Sequence, residues 1–352
     1  LVAGVNAEGG EWTAADLSAY KVVEREPIRF RYHDWDVVTA PPPSSGGVAM
    51  AQILQILEGW DLSKLDAAQR THLVTEAMRR AYRDRTIYLG DPDFVKVPVA
   101  RLTSREYAAG QRASIHPEKA LPSELLSGRP APLEDDETTH FSIIDAEGNR
   151  VAATQTVNLL FGSGMVVPGT GVLLNNEMDD FALRPGTPNA FGVMGFEANA
   201  TKAGKRMLSS MTPSFIESKD KVAAIGAPGG SRIIPYVAWA IIAYLEQGMS
   251  LQQALDLGDW ARWGWNDVLL QFNAVRQRGL LRPFGIEEAD TWQLGTAFAI
   301  GARLSWMRSV AGALAEGGPG IGCGASRRVS PNSTTTALSD SCATETGEVR
   351  SP

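Results

Sequence analysis

Polar and apolar residues alternate along 27–32 and again along 35–39, the period of half-buried strands. The run Pro41-Pro42-Pro43-Ser44-Ser45-Gly46-Gly47 then stops the extended chain. Apolar residues recur next at helical spacing (Met50, Ile53, Leu54, Leu57), which predicts a helix over 50–57. A longer helix is predicted over 67–88, with Leu73, Ala77, Ala81 and Ile87 on one stripe and Arg79, Arg80 and Arg83 on another. Asp91-Pro92-Asp93 follows it, and proline cannot continue a helix. Residues 108–137 lose periodicity and collect Pro, Ser, Gly and charge, ending in Glu134-Asp135-Asp136-Glu137, the composition of a solvated linker. From Thr138 to Ile144 the alternation returns, with Thr139, Phe141 and Ile143 on one side and Thr138, His140 and Ser142 on the other. A turn over 145–149 and a second run over 151–158 complete a predicted β-hairpin. A loop rich in Gly, Pro and Asn occupies about 161–206. Val222 to Ile225 reads as a short buried strand, and Ala227-Pro228-Gly229-Gly230 as a turn. Ser231 is the predicted N-cap of an apolar helix ending near Leu245.

Beyond Leu257 the pattern dissolves. Trp260, Trp263, Trp265, Trp292 and Trp306 follow no period, and residues 317–352 are rich in Gly, Ser and Thr without any aromatic residue. Such a tail cannot bury enough apolar surface to offset its ordering entropy and is expected to be disordered.

Composition adds boundaries. The 352 residues allow one large domain or two, and 44% hydrophobic with 21% charged residues is a globular balance. Lys plus Arg number 33 against 40 Asp plus Glu, a net charge of −7, which argues against a nucleic-acid partner. No apolar run of eighteen or more residues occurs, so no membrane span is expected. Cys323 and Cys342 are too few for a disulfide framework. His33, His72, His116 and His140 are scattered without ligand spacing, so neither metal nor cofactor is expected. Leu1 is followed by no charged n-region and no apolar h-region, so any signal peptide is expected to be absent or upstream.

The first chemically suggestive position is Thr138, where an acidic linker meets a strand. Breaking the Glu137–Thr138 bond would leave an α-amine, with a pKa of roughly 7.7–8.0, beside its own hydroxyl. That arrangement suits self-cleavage, although threonine also simply favours strands. Thr156 and Asn158 lie two apart on the next strand and share a face. Glu177 and Asp180 could bring carboxylates to one site, and their loop lacks the ligand order of a calcium-binding EF-hand. Ser209-Ser210 reads equally well as a serine-rich turn. Gly229-Gly230 before a helix offers backbone N–H groups to a negative oxygen, or is a plain tight turn. No Gly-Lys-Ser/Thr follows it, which excludes a Walker-type phosphate loop. His140 shares a strand face with Thr138, but residues two apart on a strand stand roughly 6.5–7 Å apart, so it is read as structural.

The order of these pieces is more specific than any one of them. Thr138-Thr139-His140-Phe141-Ser142, Thr156-Val157-Asn158, Phe161-Gly162-Ser163-Gly164, the run from Leu174 to Phe181, Leu208 to Pro213 and Pro228-Gly229-Gly230-Ser231 together resemble the gamma-glutamyltranspeptidase family. Upstream, the 41–47 run, Asp84-Arg85 and Leu89 to Phe94 look like the second half of that family's large subunit, so the resemblance covers about residues 8 to 255.

The resemblance implies an α+β fold, a four-layered αββα sandwich of the N-terminal-nucleophile hydrolase type, incomplete in this chain. It implies a large-subunit-like region over 1–137, a small-subunit-like catalytic region over 138–257 and a divergent tail over 258–352. Thr138 matches the nucleophile freed by self-cleavage, and Thr156 the residue whose hydroxyl holds it. Asn158, Glu177 and Asp180 match the cradle of the substrate's α-amino group, Ser209 and Ser210 the contacts to its α-carboxylate, and Gly229 with Gly230 the oxyanion hole. Residues 185–199 look like a lid, with Phe191 as its aromatic wall. The implied reaction hydrolyses or transfers γ-glutamyl groups of glutathione-like donors through a threonine ester. Water, an amino acid or a peptide is the acceptor, large and small subunits arise from one precursor, and the location is periplasmic or extracellular. The family's N-terminal portion and an Arg within it are expected to be missing. Its Pro-Arg and His-containing stretch is replaced by Asp256 to Trp260, and its closing strands are expected to be missing too. A cephalosporin- or glutaryl-acylase-type amidase and an inactive, unprocessed fragment stay open as alternatives.

Overall fold

The computed structural model describes residues 1–122, 125–126, 137–159, 161–187, 195–250 and 253–254. They fall within one unit, Leu1–Gly322; a second, Cys323–Pro352, lies outside the described residues. The Trp-rich segment, the 317–352 tail and both cysteines therefore also lie outside them.

Two short helices open the chain, α1 (Val2–Ala7) and α2 (Ala14–Ala19), the latter set by a Thr13/Asp16 capping box that the pattern reading missed. The strands β1 (Ile28–Tyr32) and β2 (Trp35–Thr39) fall where the alternation placed them. Helix α3 (Gly46–Leu57) begins four residues before the predicted 50–57. Gly46 and Gly47 do not break it; they let it approach its neighbours. A Cβ on Gly46 would stand 2.2 Å from Thr212 Oγ1, and one on Gly47 would stand 2.1 Å from the Ala40 carbonyl oxygen. Every residue of α3 is buried. Helix α4 (Ala67–Tyr88) matches its predicted span, opened by reciprocal bonds between Asp66 and Gln69.

The supposed linker is partly helical. After α5 (Val99–Leu102), α6 (Arg105–Ala113) is capped by the Ser104 hydroxyl and docks on α4. Buried Arg80 pairs with Glu76 at 2.6 Å and donates to both Ser114 Oγ and the Ser114 carbonyl at 2.8 Å. The acidic run 134–136 lies outside the described residues. The hairpin β3 (Glu137–Ile144) and β4 (Arg150–Asn158) follows, then β5 (Ser214–Glu217), which the serine-rich reading missed, and β6 (Val222–Ile225). Ser231 does not cap α7 (Ile233–Leu245): its carbonyl accepts from the Tyr82 hydroxyl, and a turn over Gly230–Arg232 leads into the helix.

Strands pair antiparallel in the order β1-β2-β5-β6. One face of this sheet sends Ile28, Phe30, Tyr32, Val37 and Ile216 into a core shared with α3, α4 and α7. The hairpin lies against β6 on the other side, and an Arg150–Glu217 ion pair of 2.5 Å ties it to β5. The described residues thus stack helices, a four-stranded sheet and a two-stranded hairpin. The hairpin turns its polar side inward, with Thr138 and His140 buried, while Phe141, Ile143 and Val151 on its outer side are exposed. Among the described residues no helix is long and apolar enough to cross a membrane.

The inward side explains a glycine. A Cβ on Gly226 would stand 2.1 Å from the His140 ring, which is flat, buried and unable to move aside. Gly226→Ala is therefore expected to destabilise the chain by about 1–3 kcal/mol, seen as a thermal midpoint lowered by several degrees.

Candidate active site

The pairing of β3 with β4 slips between Glu137 and Thr138: Thr138 faces Thr156, whereas Glu137 faces Asn158. Such a bulge re-aims the side chains beside it. Asn158 adopts φ of 77°, a left-handed conformation that Asn tolerates better than most residues. The result converges on one hydroxyl. Thr156 Oγ1 accepts from Thr138 Oγ1 at 3.4 Å and from the Asn158 backbone N–H at 2.8 Å.

Asn158 fastens the next wall. Its Nδ2 donates to the Asn176 carbonyl at 3.0 Å, and Asn176 Oδ1 accepts from the Leu159 N–H at 3.0 Å. These bonds seat the single turn Glu177–Asp180, where Asn199 Nδ2 donates to the Asp180 carbonyl at 2.7 Å. The Glu177 side chain is half-buried, and its Oε1 is shut off from solvent with no hydrogen-bond partner among the described residues. Loss of solvent pushes it up to about 7, so near neutral pH it sits between its two protonation states.

Ser209-Ser210 forms the third wall, clamped to the proline-rich turn by Ser209 N–H to the Pro43 carbonyl at 3.0 Å. Gly229 and Gly230 close the fourth, with φ of 123° and 49°, conformations glycine adopts without strain. The walls border a small cleft that opens to solvent. Thr138, Thr156, Asn158, Glu177, Asp180, Ser209, Ser210 and Gly230 line it, and Gly229 sits just behind Gly230 rather than on the lining. Residues 188–194, including Phe191, lie outside the described residues.

Arg85, Met211, Ser231 and Ile233 also line the cleft; the first three were named from the sequence only within motifs or as a cap, and none was given a role in the site. Arg85 had a signal. It stands four residues after Ala81 and eight after Ala77, so it continues the apolar stripe of α4 as a cation in a core position. It is 6% exposed.

His140 takes no part in the cleft. Its Nδ1 meets Thr154 Oγ1 at 2.8 Å and its Nε2 meets Ser142 Oγ at 3.0 Å, so both ring nitrogens are engaged away from Thr138. Burial lowers its pKa to about 4, leaving it neutral at physiological pH. His140→Ala is expected to cost about 2–4 kcal/mol of stability, from the cavity and two unpaired hydroxyls, with cleavage chemistry retained in the folded fraction. Loss of that chemistry in a fully folded His140→Ala chain would overturn the structural reading. Among the described residues no group of three or more His, Cys, Asp or Glu could hold a metal ion.

The cleft thus brings together a hydroxyl, a carboxyl with one solvent-excluded oxygen, serine hydroxyls beside a guanidinium, and a glycine turn. The family model described as Gamma-glutamyltranspeptidase matches residues 1–278, wider at both ends than the motif-bearing stretch. A glutathione hydrolase proenzyme of Pseudomonas sp. (strain A14) is 48% identical over 260 residues, covering 73% of this chain and 45% of that protein. The acylase ACY 1 proenzyme of Pseudomonas sp. (strain SE83) is 41% identical over 254 residues, covering 71% and 43%. The solved structure of cephalosporin acylase from Bacillus halodurans aligns with a TM-score of 0.58 at 28% identity, over 71% of this chain and 43% of that one. The chain spans less than half the length of these relatives. With the family model matching most of its length and the motif residues gathered around one cleft, the chain belongs to the gamma-glutamyltranspeptidase family.

Proposed function

We propose that this chain carries the catalytic part of an enzyme that hydrolyses and transfers γ-glutamyl groups. The observation that carries this reading is the half-buried Glu177 carboxyl, whose Oε1 is shut off from solvent without a hydrogen-bond partner among the described residues and which shares the cleft with Thr138 and Ser210. A carboxylate desolvated in this way is relieved by an ammonium group, and the α-amino end of a γ-glutamyl donor supplies one.

Activation begins when Thr138 Oγ1 attacks the carbonyl carbon of Glu137. The C–N bond breaks, the amide nitrogen becomes the α-amine of Thr138, and the acyl group passes to oxygen as an ester. Water hydrolyses that ester, leaving a carboxylate on Glu137 and a free hydroxyl on Thr138. In turnover the α-amine accepts the hydroxyl proton as the oxygen attacks the γ-carbonyl, and the N–H groups around Gly229-Gly230 stabilise the oxyanion. The leaving amine takes the proton back, and a γ-glutamyl ester remains on Thr138. Attack by water gives hydrolysis; attack by an amino acid or peptide amine gives transfer. Asn158, Glu177 and Asp180 hold the ammonium, and Ser209 and Ser210 the α-carboxylate.

The same proposal includes a large part ending at Glu137 and a small part starting at Thr138. It also includes a fourth, helical layer over the exposed Phe141, Ile143 and Val151, and a location outside the cytoplasm. A glutathione-like donor is favoured by the named activity of the Pseudomonas relative.

The second reading, a glutaryl-type acylase, is favoured by the acylase relative and the acylase structure. A glutaryl group carries no ammonium and leaves Glu177 without a role. Initial rates with a γ-glutamyl anilide and a glutaryl anilide separate the two: preference for the γ-glutamyl compound is expected, and preference for the glutaryl compound would overturn the proposal. A denaturing gel tests activation. Pieces of 137 and 215 residues (352 − 137 = 215) are expected, and a chain that never splits is an inactive precursor.

A further inference from the structure

The proline-rich turn before α3 has no part in the chemistry above, yet it backs the Ser209-Ser210 wall of the cleft. Ser44 pairs with Ser209 in a parallel bridge, and Ser44 Oγ donates to the Met211 carbonyl at 2.6 Å. The Ser45 backbone N–H and its hydroxyl both donate to the Ser209 carbonyl at 2.7 Å. Ser45 Oγ in turn accepts from Arg85 Nε at 3.0 Å, and Arg85 Nη2 donates to Ser210 Oγ at 3.0 Å.

Two features set this cation apart. Its guanidinium is buried, and among the described residues no carboxylate lies within ion-pair distance of it; the acidic charge that reaches it is that of Asp180. A buried charge kept without a close partner is costly, and such a cost persists where the charge serves a ligand. The second feature is directional. Because Arg85 donates to the Ser210 oxygen, the hydroxyl proton of Ser210 is left to bond elsewhere, polarised by the cation behind it.

We propose that Arg85, seated by Ser45, is a positioning residue that fixes Ser210 as a hydrogen-bond donor to the substrate's α-carboxylate. It rests on the γ-glutamyl reading and deepens it: residues before the scissile bond govern how residues after it recognise the donor. Arg85 acts through Ser210 and need not touch substrate.

Binding to the purified full chain tests this, by calorimetric titration with L-glutamate and with 4-aminobutyrate. The second ligand keeps the ammonium and the distal carboxylate of the first and lacks only the α-carboxylate. The wild-type chain is expected to prefer L-glutamate by roughly tenfold or more, the effect of one charge-assisted contact. Arg85→Lys and Ser45→Ala are each expected to remove most of that preference while 4-aminobutyrate binding stays within about twofold. Equal loss of both ligands in the milder Ser45→Ala variant marks a merely structural role and overturns the proposal, as does unchanged L-glutamate affinity in both variants. A wild-type chain that binds the two ligands alike, or neither, overturns it as well. Failure of the catalytic reading shows separately, as absence of the cut before Thr138 and of anilide turnover while the ligand preference persists.

Discussion

Thr138→Ala is expected to give a chain that stays 352 residues long and turns over no γ-glutamyl donor. In the proposed mechanism one hydroxyl is the attacking atom in both reactions, so a single substitution is expected to remove both. Loss of a nucleophile from a cooperating site costs roughly 10⁴-fold or more in rate. The fold gives no reason to expect unfolding, because the β3–β4 pairing is made by backbone groups and, among the described residues, the side chain of Thr138 makes only the long bond to Thr156. Mass spectrometry of the purified chain, circular dichroism and an anilide assay check the three parts of this expectation. Self-cleavage in Thr138→Ala would refute the assignment. Thr156→Ala is expected to cleave more slowly rather than not at all, since it removes the acceptor that orients the Thr138 hydroxyl and leaves the nucleophile. A time course on a gel distinguishes delay from loss.

Glu177→Gln is expected to weaken donor binding and stabilise the fold, with opposite consequences from one desolvated carboxyl. In the folded chain burial lifts this group from its ordinary value near 4.5 to about 7. Below pH 4.5 it is neutral both folded and unfolded and changes nothing. Between 4.5 and 7 the unfolded chain releases the proton while the folded chain keeps it, so stability falls as pH rises, and the loss is complete above 7. After allowance for partial exposure that penalty is on the order of 1–2 kcal/mol. Glutamine carries no such penalty. Thermal midpoints of Glu177→Gln and wild type should therefore lie closest near pH 4.5 and separate by several degrees at pH 8, with the variant higher. The same variant should raise the donor KM by roughly tenfold or more, because the ammonium loses its counter-charge. In the wild type, donor affinity should climb as pH passes 7. A variant that binds the donor normally would remove Glu177 from the cradle.

Much of the frame was legible because local signals agreed with the tertiary structure. Alternation located β1, β2 and the hairpin, and α4 matched its predicted bounds because its capping box and the proline at 92 agree with its apolar stripe. The misses have physical reasons. Gly46-Gly47 looks like a breaker when only sequence neighbours are seen; its purpose is contact with Thr212 and Ala40, far along the chain or across a turn. Helix α6 buries little beyond Ala108, so it leaves almost no periodic trace. Strand β5 has four residues, too few for a period to register. Alternation in β3 showed two faces without telling which is inside, and it is the polar one that is buried. For the cleft, the order of short motifs singled out the residues, while Arg85 was named only within the Asp84-Arg85 motif and given no role in the site. Its burial is a property of the packed chain.

The slip in pairing between Glu137 and Thr138 also bears on how a precursor could mature. Every residue from Thr138 to Ile144 keeps its partner on β4 when the preceding bond is cut, and only the Glu137–Asn158 pairing is given up. The new chain end is therefore anchored where it was made, with no refolding, domain movement or assembly step required. Maturation of this kind is a first-order event whose half-time is independent of protein concentration, so a hundredfold dilution should leave the rate of splitting unchanged.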